Sequence, residues 1–143
     1  MAIKNRIIPC LSYDDAHAAM DFLCLAFGFE KLHAYETEDG KVAHAQLNYE
    51  GNGIMLGSTN TGSEFSTKHI VQPKEVDGKE TQAPYVIIDS DKIDAHYKNA
   101  KKHGAKIIME LEEQPYGGKN YTAVDPEGHI WNFGSYDPSE EAS

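Results

Sequence analysis

In the stretch YTAVDPEGHIWNF, Tyr121 to Phe133, His129 and Asn132 follow closely on two acids, Asp125 and Glu127. An imidazole near carboxylates is raw material for a metal site or for general acid–base catalysis. The same residues also spell a turn between two strands. Pro126 fixes one backbone angle, Gly128 supplies a positive-φ position, and Asp125 can accept hydrogen bonds from the turn's amides. Alternation along the second strand then sends His129, Trp131 and Phe133 to one face, and Ile130 and Asn132 to the other.

Other residues compete for a chemical role. In KVAHAQLNYE the period-two pattern places Ala43, Ala45 and Leu47 on one face, and His44, Gln46 and Asn48 on the other. The apolar set is expected to meet a helix, which leaves His44 and Gln46 on the free side. Edge residues that merely face water would show the same pattern. Cys10 shares strand parity with Ile8, but a thiol needs a base or a positive field to become nucleophilic, and no Cys–His pair is readable. A small buried cysteine filling core volume is the preferred reading. The run Glu110, Glu112 and Glu113 holds carboxylates enough for acid–base work, yet it also reads as a solvated strand end. Tyr116 and Tyr121 flank GGKN, where rings can stack on a flat ligand. None of the seven histidines shows an HxH, HxxxH or HxxE spacing that alone would mark a site, and neither a Gly-rich phosphate loop between strand and helix nor a GxSxG elbow is present.

The elements that must position these residues come in a repeated order. Ala16, Met20, Leu23 and Phe27 predict a helix from about Asp14 to Phe27, with Asp14 able to cap it and Gly28 ending it. Ile93, Tyr97 and Ala100 predict a second helix, from about Asp91 to His103. Each helix is preceded by one short strand and followed by three. His17, His96 and His103 fall on the helices and read as solvated or capping residues. Matching segments recur at a separation of 77: Ile54–Ser58 answers Trp131–Ser135, and His44–Leu47 answers Tyr121–Val124. The fold class expected is α+β, two βαβββ modules in tandem, each a cupped mixed sheet covered by one helix. Module one spans about 5–58 and module two about 84–136, with a short tail from 137 to 143. The polar connection 59–83 reads either as a lid or as a solvated bridge.

Bulk properties bound the function. The 143 residues suit one domain, and 40% hydrophobic content is ordinary for a globular protein. The formal charge of −10, from 23 acids against 13 bases, opposes binding to nucleic acid or to anionic lipid. No apolar run approaches the roughly 18 residues of a membrane span. Two cysteines make no disulfide framework, and no secretory signal is visible at the N-terminus, so a cytoplasmic setting is expected.

Two stretches, AMDFLCLAFGFEK and QPYGGKNYTAVDPEGHIWNFG, resemble the vicinal oxygen chelate superfamily of glyoxalases, extradiol dioxygenases and bleomycin-resistance proteins. The resemblance covers about Asn5 to Ser135 and comes nearest to small bleomycin-resistance-like proteins. It implies a cleft on the face of each sheet away from its helix, and homodimers whose paired clefts share residues. In metal-dependent relatives the first and last strand of each module each carry one ligand, the last strand reading DPxGxxxE. Here Asn132 stands where that Glu would be, and counting by 77 gives Met55, Tyr85 and Ile8 for the rest. An amide, a thioether, a phenol and an alkyl chain do not hold a divalent ion tightly. No cofactor is therefore expected. The reading is a metal-independent small-molecule binder, its ligand aromatic or cationic, with His44, Gln46, Met55, Tyr121, Asn132, Ile8 and Cys10 as cleft residues. His129 and Trp131 would then pack on the helix side as structural residues. The alternative is a glyoxalase- or dioxygenase-type enzyme with one divalent metal on displaced ligands, or a metal-free isomerase with His44 as base.

Overall fold

The computed structural model describes residues 2–142, the side chains of 141 and 142 excepted. The chain runs β1 (Cys10–Tyr13), α1 (Ala16–Phe27), β2 (Glu30–Glu36), β3 (Val42–Tyr49) and β4 (Asn52–Ser58). After α2 (Glu64–His69) and a 3₁₀ turn (Pro73–Val76) come β5 (Tyr85–Ile87), α3 (Ile93–Lys102), β6 (Lys106–Glu113), β7 (Lys119–Val124) and β8 (Ile130–Gly134). The two mixed sheets have the orders β1-β4-β3-β2 and β5-β8-β7-β6. In each, only the first strand runs parallel to its neighbour. The fold is α+β, with two like modules in tandem. Among the described residues no helix is long and apolar enough to cross a membrane.

Helix α1 forms where expected, but its cap is Asp15, whose side chain accepts from the Ala18 amide at 3.0 Å. Asp14 is instead held outward by Thr59 and Lys74. Gly28 ends the helix at φ +79°, a conformation that suits glycine. The last carbonyls of a helix lack partners within it, and here α3 supplies them. Asn99 Nδ2 donates to Leu25 O and Ala26 O, and His96 Nε2 donates to Phe27 O at 2.8 Å. The helices of the two modules are thus tied to each other.

The core lies between these helices and both sheets. Leu23 and Phe27 of α1 are buried with Trp131 and Phe133 of β8, and the Phe27 ring centroid is 4.7 Å from that of Phe133. One core therefore serves both modules.

The duplication is real, but its offset is not constant. Val42 and Lys119 each donate a backbone N–H to the hydroxyl of Ser58 or Ser135 at 2.9 Å, which confirms 77 at the strand starts. A register shift between Tyr35 and Glu36 then leaves Ala43 as an extra residue on β3. Beyond it Ala45 pairs with Leu56 as Tyr121 pairs with Phe133, an offset of 76 on this strand. On the first strands the offset is 75: Met55 N–H donates to Pro9 O as Asn132 N–H does to Pro84 O. The bulge also turns Val42 inward and leaves Ala43 exposed, so the buried face of β3 is Val42, Ala45 and Leu47 rather than Ala43, Ala45 and Leu47.

Candidate functional site

The face of each sheet away from its helix carries a row of side chains built by cross-strand pairing. In the first sheet Cys10 lies beside Met55, Met55 beside Gln46, and Gln46 beside His33. In the second, Tyr85 lies beside Asn132, Asn132 beside Thr122, and Thr122 beside Met109. Residues paired across neighbouring strands project to one face, so each row is a continuous strip.

His44, Gln46, Met55 and Asn132 stand on these open faces, each half-buried. Gln46 Nε2 donates to His44 Nε2 at 3.1 Å, which leaves the proton of a neutral His44 ring on Nδ1. The His44 ring stacks at 6.2 Å on Tyr35, and Tyr35 at 6.1 Å on His33, so three flat rings run along one wall. In the second sheet the Thr122 hydroxyl donates to Asn132 Oδ1 at 2.6 Å. The phenol of Tyr85 lies over Gly134, where any β-carbon would overlap it, and donates to Tyr136 O at 2.9 Å. Burial pushes the Tyr85 phenol up to about 12, so it stays neutral at physiological pH. Sequence reasoning passed over His33 and Tyr35, although the alternation of EKLHAYET places both on the same side.

Two expected positions need correction. Tyr121 is not on the open face. It is fully buried on the helix side, stacked at 5.2 Å on Phe133 and hydrogen-bonded to His96 Nδ1 at 2.7 Å. The constant offset of 77 had matched it to His44, but the bulge at Ala43 makes Ala45 its true counterpart, and a slip of one residue changes face. Ile8 precedes β1, and the strand position matching Tyr85 is Cys10, which pairs with Met55 as Tyr85 pairs with Asn132. Cys10 is exposed, not a core filler.

The turn that opened the question proves to be a joint between modules. Asp125 is buried. Its Oδ2 accepts from Tyr13 OH at 2.6 Å and from Trp131 Nε1 at 3.1 Å, and its Oδ1 accepts from the backbone of Glu127 and His129 at 3.0 Å each. Burial, with Asp125 beside it, holds the Tyr13 phenol well above its usual range. Glu127 reaches across to the start of α1, where its two oxygens accept from the Asp14 and Asp15 amides at 2.6 and 2.9 Å. A carboxylate there also meets the positive end of the helix. Glu127→Ala is expected to cost about 1 kcal/mol of stability; an unchanged melting temperature would count against this cap. His129 packs edge-on against Tyr13 at 4.8 Å, with Nδ1 facing Glu80 Oε1 at 3.2 Å and Nε2 facing Ser12 O at 2.8 Å.

Whether the open faces suit a divalent ion follows from their donors. The four row positions that correspond to ligands in metal-dependent relatives hold a thiol, a thioether, a phenol and an amide already engaged by Thr122. Among the described residues no three His, Cys, Asp or Glu side chains gather as a metal would require. The donor set does not fit the ion. Glu110, Glu112 and Glu113 are exposed along β6. The connection between modules is pinned by Gln72, whose amide donates to Ser12 O at 2.8 Å, while α2 itself buries no residue.

Comparison with known proteins agrees with this architecture. The family model of the Glyoxalase/Bleomycin resistance protein/Dioxygenase superfamily matches residues 6–133. The chain belongs to that superfamily. Among solved structures, TioX from Micromonospora sp. ML1 is 27% identical with a TM-score of 0.70, over 91% of this chain and 94% of TioX. The fosfomycin resistance protein FosX from Listeria monocytogenes, complexed with Mn(II) and a sulfate ion, shares the fold at 14% identity and a TM-score of 0.65, over 96% of this chain and 94% of FosX. The uncharacterized protein Rv0887c of Mycobacterium tuberculosis is 29% identical over 132 residues, 92% of this chain and 75% of its own length.

Proposed function

We propose that this member of the superfamily is a metal-independent small-molecule binding protein that works as a homodimer. The observation that carries the reading is the chemistry of the two rows. Where an ion-binding relative needs imidazoles and carboxylates, this chain sets Cys10, Met55 and Gln46 against Tyr85, Asn132 and Thr122. These are neutral, partly apolar groups with a few fixed hydrogen-bonding atoms, which is the composition of a site for an organic ligand. The ring series His33, Tyr35 and His44 suits a flat aromatic body, and the net charge of −10 favours a neutral or cationic one.

The dimer is supported by what one chain leaves uncovered. Tyr35 of β2 and Ile108 and Met109 of β6 are exposed in a single copy. Such apolar surface is typical of an interface. A second copy covering the open faces would close the rows into clefts.

A thermal-shift screen of planar aromatic amines, run with and without EDTA, tests the proposal. Stabilisation by hits that is equal in both buffers and weakened by His44→Ala is the expected result. Hits that vanish with the chelator, or turnover of a thiol adduct or catechol only in the presence of metal, would favour a metal-dependent lyase or dioxygenase instead. Sedimentation equilibrium is expected to give twice the chain mass.

A further inference from the structure

A large cavity lies at the joint between modules and meets the rows only at Cys10. It is an open cleft of about 640 Å³, within the range of small-molecule sites. Its walls come from the residues around β1, from α2 and the segment after it, and from the segment leading into β5. Ile8, Phe65, Ile70 and Val71 make much of it apolar, and His129 with Glu80 form a polar pole. We propose that this cavity is a second ligand site, selective for amphipathic organic ammonium ions, with the Glu80 carboxylate as their anchor.

The selectivity follows from which donors and acceptors remain free. His129 faces acceptors on both sides, Glu80 Oε1 at 3.2 Å and Ser12 O at 2.8 Å, so both of its nitrogens are committed. Glu80 uses only Oε1 in that pair, and its Oε2 accepts no hydrogen bond among the described residues. The pair is largely shielded, with side chains 10% and 18% exposed. A charged acceptor in such surroundings gains much from a donor that fits it. No lysine or arginine lines the cavity, and both His129 nitrogens are turned to acceptors, so an anionic ligand would find no free cation to pair with. An ammonium group finds Oε2 at one end and an alkyl or aromatic wall for its body. Among cavity residues only Cys10 also belongs to a row, so the two sites can be separated by mutation.

Isothermal titration with three probes of one shape decides the matter: 1-naphthylmethylamine, 1-naphthylmethanol and 1-naphthoate. The amine is expected to bind at least about tenfold more tightly than the alcohol, the strength of one charge-assisted hydrogen bond, and the naphthoate more weakly still. Glu80→Gln should bring the amine down to the alcohol's affinity and leave the alcohol unchanged. Val71→Trp, at an exposed position on the cavity wall, should abolish binding of both. The titrations are run in a His44→Ala background, which weakens the open-face site and leaves this cavity's lining intact. Circular dichroism confirms that each variant is folded. Naphthoate binding as tight as the amine, no amine binding at all, or amine affinity unmoved by Val71→Trp or by folded Glu80→Gln would overturn the assignment.

Discussion

Asp125→Ala is expected to lower the stability of the protein by about 4 kcal/mol, a fall of roughly 10 °C in melting temperature. The acid is the shared acceptor for a phenol from the first module, an indole from the second and two turn amides. Truncation leaves the Tyr13 hydroxyl and Trp131 Nε1 without a partner in the dry interior, and a buried polar group stripped of its partner costs about 1–3 kcal/mol. The turn also loses the side chain that holds the Glu127 and His129 amides, and with it the placement of Glu127 on α1. Asp125→Asn keeps an acceptor of the same shape and should cost much less. Tyr13→Phe, which removes one donor and leaves Asp125 three others, should cost about 1 kcal/mol. Urea unfolding of the three variants would reveal the order; equal losses for Asn and Ala would mean that the carboxylate's hydrogen bonds do not govern this joint.

The second large effect is a loss of stability on mild acidification, traced to His96. Its ring is buried between α1 and α3, with Nε2 donating to Phe27 O and Nδ1 accepting from Tyr121 OH, and it touches the rings of Tyr49 and Phe133. Burial disfavours the imidazolium and lowers the His96 pKa below its usual value, while the bond to Phe27 opposes this in part. The unfolded chain takes up a proton on this residue near pH 6.5, and the folded chain resists it until lower pH. The stability that depends on a neutral His96 is therefore fully present above that pH and declines as pH falls toward the folded-state pKa, with a slope of up to about 1.4 kcal/mol per pH unit. The neighbouring Tyr121 and Tyr49 phenols are raised by burial and do not titrate in this window. His96→Gln should keep much of the hydrogen bonding and flatten the curve. Unfolding free energies of wild type and variant measured from pH 7 to pH 4.5 would expose the difference; parallel curves would contradict the assignment.

How far the sequence showed these things depends on what each inference rested on. The strands and helices were legible because their burial follows simple periods: Ala16, Met20, Leu23 and Phe27 at helical spacing, Leu47 and Ala45 alternating with Gln46 and His44. The open-face placement of Asn132, Met55, Gln46 and His44 followed from the same alternation. Tyr121 was misplaced because one residue, Ala43, bulges from β3. Nothing in a fixed separation of 77 reveals a bulge, and a one-residue slip reverses the face of every side chain beyond it. The match of Ile8 to Tyr85 failed for a like reason, since the loop between the first strand and the helix is two residues longer in the second module. His96 shows a different limit. It stands at helical spacing between Ile93 and Ala100, so its burial was readable from position, but its polarity argued for solvent until Phe27 O and Tyr121 OH were seen to satisfy it. The roles of Asp125 and Glu127 depend on residues more than a hundred positions away, Tyr13 and the start of α1, and local reading reached only the turn.

Elemental analysis tests the central claim, that the open faces carry an organic-ligand site and not an ion site. The purified protein would be equilibrated in turn with Mn(II), Zn(II), Fe(II) and Ni(II), then desalted and assayed for bound metal. The account predicts that no ion is retained in stoichiometric amount, because Cys10, Met55, Tyr85 and Asn132 offer too few suitable donors. One tightly held ion per chain, released by substituting Met55 or Asn132, would contradict it.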